Sequence, residues 1–159
     1  MRNLDFHYLI PVTPFYPIEN YLGDTDNIQM GFDLLYKFTG KQYFYTGFFM
    51  DELTPEWIFN SKNHKWFAYQ LGYRINNLIF QNSYFIFEYN WTDQRIYKHK
   101  YKINDFYSHG EPLGFWAGPH SEELLASYSF TVGYSEISID YSTVKRGLIS
   151  DESTITNYN

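Results

Sequence analysis

The residues best equipped for chemistry in this 159-residue chain sit where its strand-like patterning breaks. Trp57, Tyr107, Phe115 and Trp116 fall in long irregular segments, beside the acidic pair Asp51 and Glu52 and the turn residue His109. Aromatic faces stack on the CH-rich side of a sugar ring, and carboxylates or amides take its hydroxyls, so these types together suit a saccharide. They do not suit catalysis. Asp51 and Glu52 are adjacent, so on a strand they point to opposite faces, whereas glycosidase carboxylates face each other across roughly 5–9.5 Å. The plainer role for the pair is hydrogen-bonded capping of a loop, and for Trp57 and Trp116 anchoring of loops against neighbouring structure. His7, His64, His99, His109 and His120 lack metal-ligand spacing, and no phosphate loop, nucleophile elbow or Cys–His pairing is present. The expectation is no catalytic residue, no metal and no cofactor.

Composition narrows the field further. With 12 basic and 18 acidic residues the net charge is −6, which argues against nucleic acid. The one basic run, Lys98-His99-Lys100-Tyr101-Lys102, reads as a solvated face or as a contact for acidic polysaccharide or lipid phosphates. There is no Cys, hence no disulfide scaffold. No apolar run reaches the roughly 18 residues of a membrane helix. Nor does the start of the sequence carry an apolar stretch with a small-residue cleavage site, so it reads as a mature form, a fragment or a cytosolic protein.

The elements that must position those residues are strands. Ile28, Met30, Phe32, Leu34, Tyr36 and Phe38 alternate with mostly polar neighbours, giving one apolar and one wet face. The pattern recurs, predicting six strands near residues 27–38, 42–51, 67–75, 82–91, 123–132 and 136–143. Thr39-Gly40-Lys41 and Asn76-Asn77 are predicted turns; residues 53–65 and 92–120 are predicted long connections. Leu4–Val12 is a further strand candidate, ended by Pro11, Pro14 and Pro17. Strands of 9–12 residues joined by alternating short turns and long loops match membrane-crossing strands, of about 9–11 residues, better than ordinary ones of about 5–6. The same alternation also fits a soluble barrel or sandwich with its faces reversed.

Several stretches carry a family resemblance. Tyr8-Leu9-Ile10-Pro11-Val12, Phe15-Tyr16, Gly31-Phe32-Asp33 and the aromatic strand Tyr43–Met50 ending in Asp51-Glu52 resemble the capsule-assembly Wzi family of outer-membrane proteins. So do Phe87-Glu88-Tyr89-Asn90, then Tyr107-Ser108-His109-Gly110-Glu111-Pro112-Leu113-Gly114, then Gly118-Pro119-His120-Ser121-Glu122-Glu123-Leu124. The resemblance spans about residues 7–145. It departs in two ways: Wzi-like proteins are several times longer, and Phe48 stands where a polar lumen residue is expected. The resemblance implies an all-β, antiparallel, up-and-down transmembrane β-barrel, of which this chain is a segment. It also implies a non-enzymatic role in the bacterial outer membrane, holding surface polysaccharide, with outer-membrane lipid as the other partner. Rival readings are a soluble carbohydrate-binding module, a small envelope enzyme and a structural part of an envelope complex.

Overall fold

The computed structural model describes residues 29–51, 66–97 and 106–148. Leu4–Val12, Glu52, Trp57, the remainder of the 53–65 connection and the basic run 98–102 lie outside them. Eight strands follow in order: β1 Gln29–Lys37, β2 Gln42–Asp51, β3 Phe67–Asn76, β4 Ser83–Thr92, β5 Tyr107–Ser108, β6 Glu111–Pro112, β7 Ser121–Val132 and β8 Ser135–Arg146. No helix occurs among the described residues. The six long strands form one antiparallel sheet in the order β1-β2-β3-β4-β7-β8, an up-and-down meander, and β5-β6 is a separate small hairpin. The six strands expected from alternation are therefore present. The addition is β5-β6, inside what reads from sequence as wholly irregular.

Chain chemistry accounts for the turns. Gly133 adopts φ 62°, the conformation a tight hairpin requires and glycine adopts without steric penalty. Asn77 and Asn82 take positive φ in the β3–β4 turn, where the Asn82 amide donates to Asn77 Oδ1 at 2.9 Å. His109 and Gly110, both at positive φ, make the β5-β6 turn. The three short turns close one end of the sheet; the long connections leave from the other.

The register assigns every side chain to a face. Phe32, Phe48, Tyr69 and Trp91 pair successively across β1 to β4, and Tyr73, Phe87, Ala126 and Tyr141 across β3 to β8. One face is thus a continuous apolar surface. Phe48 belongs to it, whereas its neighbour Phe49 turns to the polar face with Tyr43 and Tyr45. Phe80 of the β3–β4 turn packs against Phe130 at 5.8 Å, but most of the apolar face is uncovered by the described residues: Phe32 is 60% exposed, Leu71 42% and Ile139 64%. The buried cluster lies on the opposite, polar face, where Ala68, Ile96 and Tyr97 meet Phe49, Phe106 and Phe115.

Successive hairpins end progressively further along the sheet. Lys37 pairs with Tyr43 and Tyr43 with Arg74, but β3 runs on to Asn76. Asn76 pairs with Tyr84 and Tyr84 with Ser129, but β7 runs on to Val132. The stagger has one direction throughout, as tilted strands require. β1 and β8 are the edges and do not pair with each other.

Candidate functional site

Residues 93–97 and 106–120 fold back over the polar face at the long-connection end and are pinned there by side chains of the strands. Asp51, at the last position of β2, is 0% exposed; its Oδ2 accepts the Tyr97 amide at 2.9 Å and its Oδ1 the Gln29 Nε2 at 3.3 Å. Tyr97 itself sits at φ 70°, a strained conformation for an aromatic residue. Its hydroxyl accepts the Phe115 amide at 2.9 Å, and its ring lies so close over Gly114 that a Cβ there would overlap it. Burial raises the Tyr97 phenol pKa; the Phe115 N–H acts against that shift and the nearby Asp51 carboxylate adds to it. At the base of the fold-back, the buried Thr92 hydroxyl joins Ser121 and the Gly118 carbonyl within 3.2 Å.

Between this cover and the sheet lies a cleft of about 570 Å³. Phe49, Phe106 and Phe115 form apolar walls, and Asp33, Gln70 and Asn90 project from the polar face into it. A single sugar ring fits in that volume with room for a neighbour, the lower part of the usual range for small-molecule pockets. Strand alternation places Asp33 on β1, Gln70 on β3 and Asn90 on β4 facing the same side. Gly47 lies between them: a Cβ there would come within 3.0 Å of Asp33 Oδ1, so glycine keeps the floor low. Gln70 Nε2 donates to Glu88 Oε2 at 3.3 Å and Asn90 Nδ2 to Glu123 Oε2 at 3.1 Å. One of the two N–H groups of each amide is thereby engaged.

A chain of polar contacts continues along the sheet. Glu123, 6% exposed, also accepts from Trp116 Nε1 at 3.3 Å and Ser142 Oγ at 2.8 Å. Glu88 accepts from the Tyr45 hydroxyl, whose ring covers Gly72 where any Cβ would clash. Arg74 stacks at 4.3 Å over the Tyr84 ring and bonds Asn76 at 2.8 Å, beside a second cleft of about 410 Å³ near the short turns. Charges of both signs lie at each end of the polar face: Asp51, Glu123 and Arg146 towards the long connections, and Lys37, Arg74 and Glu136 towards the short turns.

The residues singled out from sequence separate into groups. Phe115 lines the cleft. Tyr107 packs half-buried against the Tyr97 cluster, and Asp51 is spent on holding the cover in place. His109 stands exposed at the tip of the β5-β6 hairpin, and Trp116 is 65% exposed, its ring nitrogen bonded to Glu123 and its ring edge-on to Phe115 at 6.0 Å. Glu52 and Trp57 lie outside the described residues. Sequence reasoning placed Asp33, Gln70 and Asn90 on the wet face but did not single them out, since nothing periodic signals that residues 93–97 and 106–120 turn back over them. No protein-family model, curated protein or solved structure matches this chain.

Proposed function

We propose that this chain is a segment of a bacterial outer-membrane β-barrel that holds surface polysaccharide and catalyses no reaction. The observation that carries the membrane reading is the division of the sheet. A water-soluble antiparallel sheet covers its apolar face and wets the other. Here the covered, hydrogen-bonded face is the polar one, and rows of Phe, Tyr, Leu and Ile lie bare. Contiguous exposed apolar surface on that scale needs an apolar solvent or partner. Strands of 9–12 residues and a one-directional stagger support a tilted, membrane-crossing sheet. In lipid, further strands pairing with β1 and β8 would satisfy their free edges.

The polysaccharide role rests on the resemblance to the Wzi family and on the chemistry of the cleft, aromatic walls above an acid-and-amide floor. On this reading the long connections face outward and the short turns face the periplasm. The test expresses the chain with an export leader and follows it through cell fractionation. Retention in the outer membrane after alkaline washing, with polysaccharide co-purifying in detergent, is the expected result. A monodisperse chain that keeps its β-sheet in detergent-free buffer would overturn the membrane reading, because the bare face could not then remain bare.

A further inference from the structure

We infer that Tyr69, Tyr89, Trp91, Glu122 and Lys145 lie in the lipid headgroup layer on the long-connection side, and that hydrocarbon extends from there to the β7–β8 turn. The inference rests on the membrane reading and adds the depth at which the sheet sits. Charge on the apolar face is confined to one place. Of the residues that the register puts on that face of the six long strands, only Glu122 and Lys145 are charged, and they are cross-strand partners 2.6 Å apart. A charged side chain is costly inside hydrocarbon and tolerated at its margin, where a long Lys reaches water and phosphate. The Lys145 side chain is 84% exposed, so nothing holds it down on the sheet.

The aromatic residues beside that pair suit the same layer. Trp91 is the register partner of Glu122, Tyr69 stacks on Trp91 at 5.4 Å, and the Tyr89 hydroxyl donates to Glu122 Oε2 at 3.4 Å. Trp and Tyr gather at membrane–water interfaces because their rings are apolar at one end and polar at the other. The remaining strand length agrees. Glu122 and Val132 are ten residues apart on β7, as are their partners Lys145 and Ser135 on β8. That is about 34 Å along an antiparallel strand, or about 26 Å across the bilayer at a tilt of about 40°. The lipid-facing band of a membrane barrel is about 25 Å tall. Its other boundary then falls at the β7–β8 turn, where Tyr134 stands fully exposed. On the opposite face the cleft residues Asp33, Gln70 and Asn90 each adjoin a member of the Phe32-Phe48-Tyr69-Trp91 row. The cleft therefore stands level with the headgroups, and not at mid-bilayer depth.

The experiment uses the full chain reconstituted in phosphatidylcholine vesicles. The chain has no Cys, so each single substitution to Cys carries one nitroxide label. Power saturation then compares collisions with oxygen, which concentrates in hydrocarbon, and with a nickel chelate, which stays in water. The oxygen-to-nickel ratio should peak at Ile139→Cys and Tyr141→Cys and fall several-fold at Lys145→Cys and at Tyr134→Cys. Ile139 and Tyr141 are both more than half exposed, so a label at either displaces little packing, and each checks the other. A ratio at Lys145→Cys as high as at Ile139→Cys would put the charged row in hydrocarbon and overturn this inference while leaving the membrane reading standing. A high ratio at Tyr134→Cys with a water-like one at Tyr141→Cys would do the same. Water-like ratios at all four sites would overturn the membrane reading, and this inference with it.

Discussion

The two faces of the sheet obey opposite rules. On the polar face nearly every buried group is bonded to another: Asp51 to Tyr97, Glu123 to Asn90, Trp116 and Ser142, and Thr92 to Ser121. On the apolar face most contacts are between rings, such as Tyr69 against Trp91 at 5.4 Å, with Glu122 near the long-connection end meeting Lys145 at 2.6 Å and the Tyr89 hydroxyl at 3.4 Å. The comparison teaches that composition alone does not say which side of a sheet is inside. Here the polar side carries most of the hydrogen bonds, and the apolar side is largely uncovered by the described residues.

The sharpest way to break that comparison is to place a charge in the middle of the apolar face. Leu71→Arg should lower folding stability in lipid vesicles by about 2–4 kcal/mol, the range for a basic residue near a bilayer midplane. Denaturant titration of the reconstituted chain checks it. A change within about 0.5 kcal/mol, usual for water-exposed surface sites, would mean the face meets water. The next effect belongs to the polar face. Asp51→Ala strands the Tyr97 amide and should cost about 1–3 kcal/mol, with hydrogen exchange at Tyr97 and Phe115 accelerating together. Gly72→Ala drives a methyl into the Tyr45 ring and should cost about 1–3 kcal/mol in the same titration. Smallest of all is Lys145→Ala. Both ends of that ion pair reach solvent, so the denaturation midpoint should not move measurably.

Much of this architecture is legible in the amino-acid order because a strand's period of two is so regular. The alternation from Met30 to Tyr36 and from Phe67 to Ile75 sets both strand existence and facing, and Gly133 marks its own turn. Strand ends were harder to place. β7 begins at Ser121 and β8 ends at Arg146, beyond the alternating cores, because Thr92 and Ser121 are bound by side-chain hydrogen bonds that no pattern announces. The site was legible only in part. Phe115 belongs to the cleft wall, and His109 fixes a turn as its sequence setting implies. For Asp51 the sequence offers a sugar contact or, more plainly, a hydrogen-bonded loop cap; the structure shows the cap, though its partner Tyr97 lies 46 residues away and is invisible to local reading. Asp33, Gln70 and Asn90 come together only through the register of three strands.

The fastening of Tyr97 has a thermodynamic corollary. Its amide, hydroxyl, carbonyl and ring are all engaged at once, by Asp51, Phe115, Phe106 and Gly114 respectively. The roof over the cleft is thus set before any guest arrives, and a ligand entering it spends little binding energy on organising its host. Discrimination among guests then falls to complementarity with a rigid receptor, and heat capacity changes on complex formation should reflect the contact area alone.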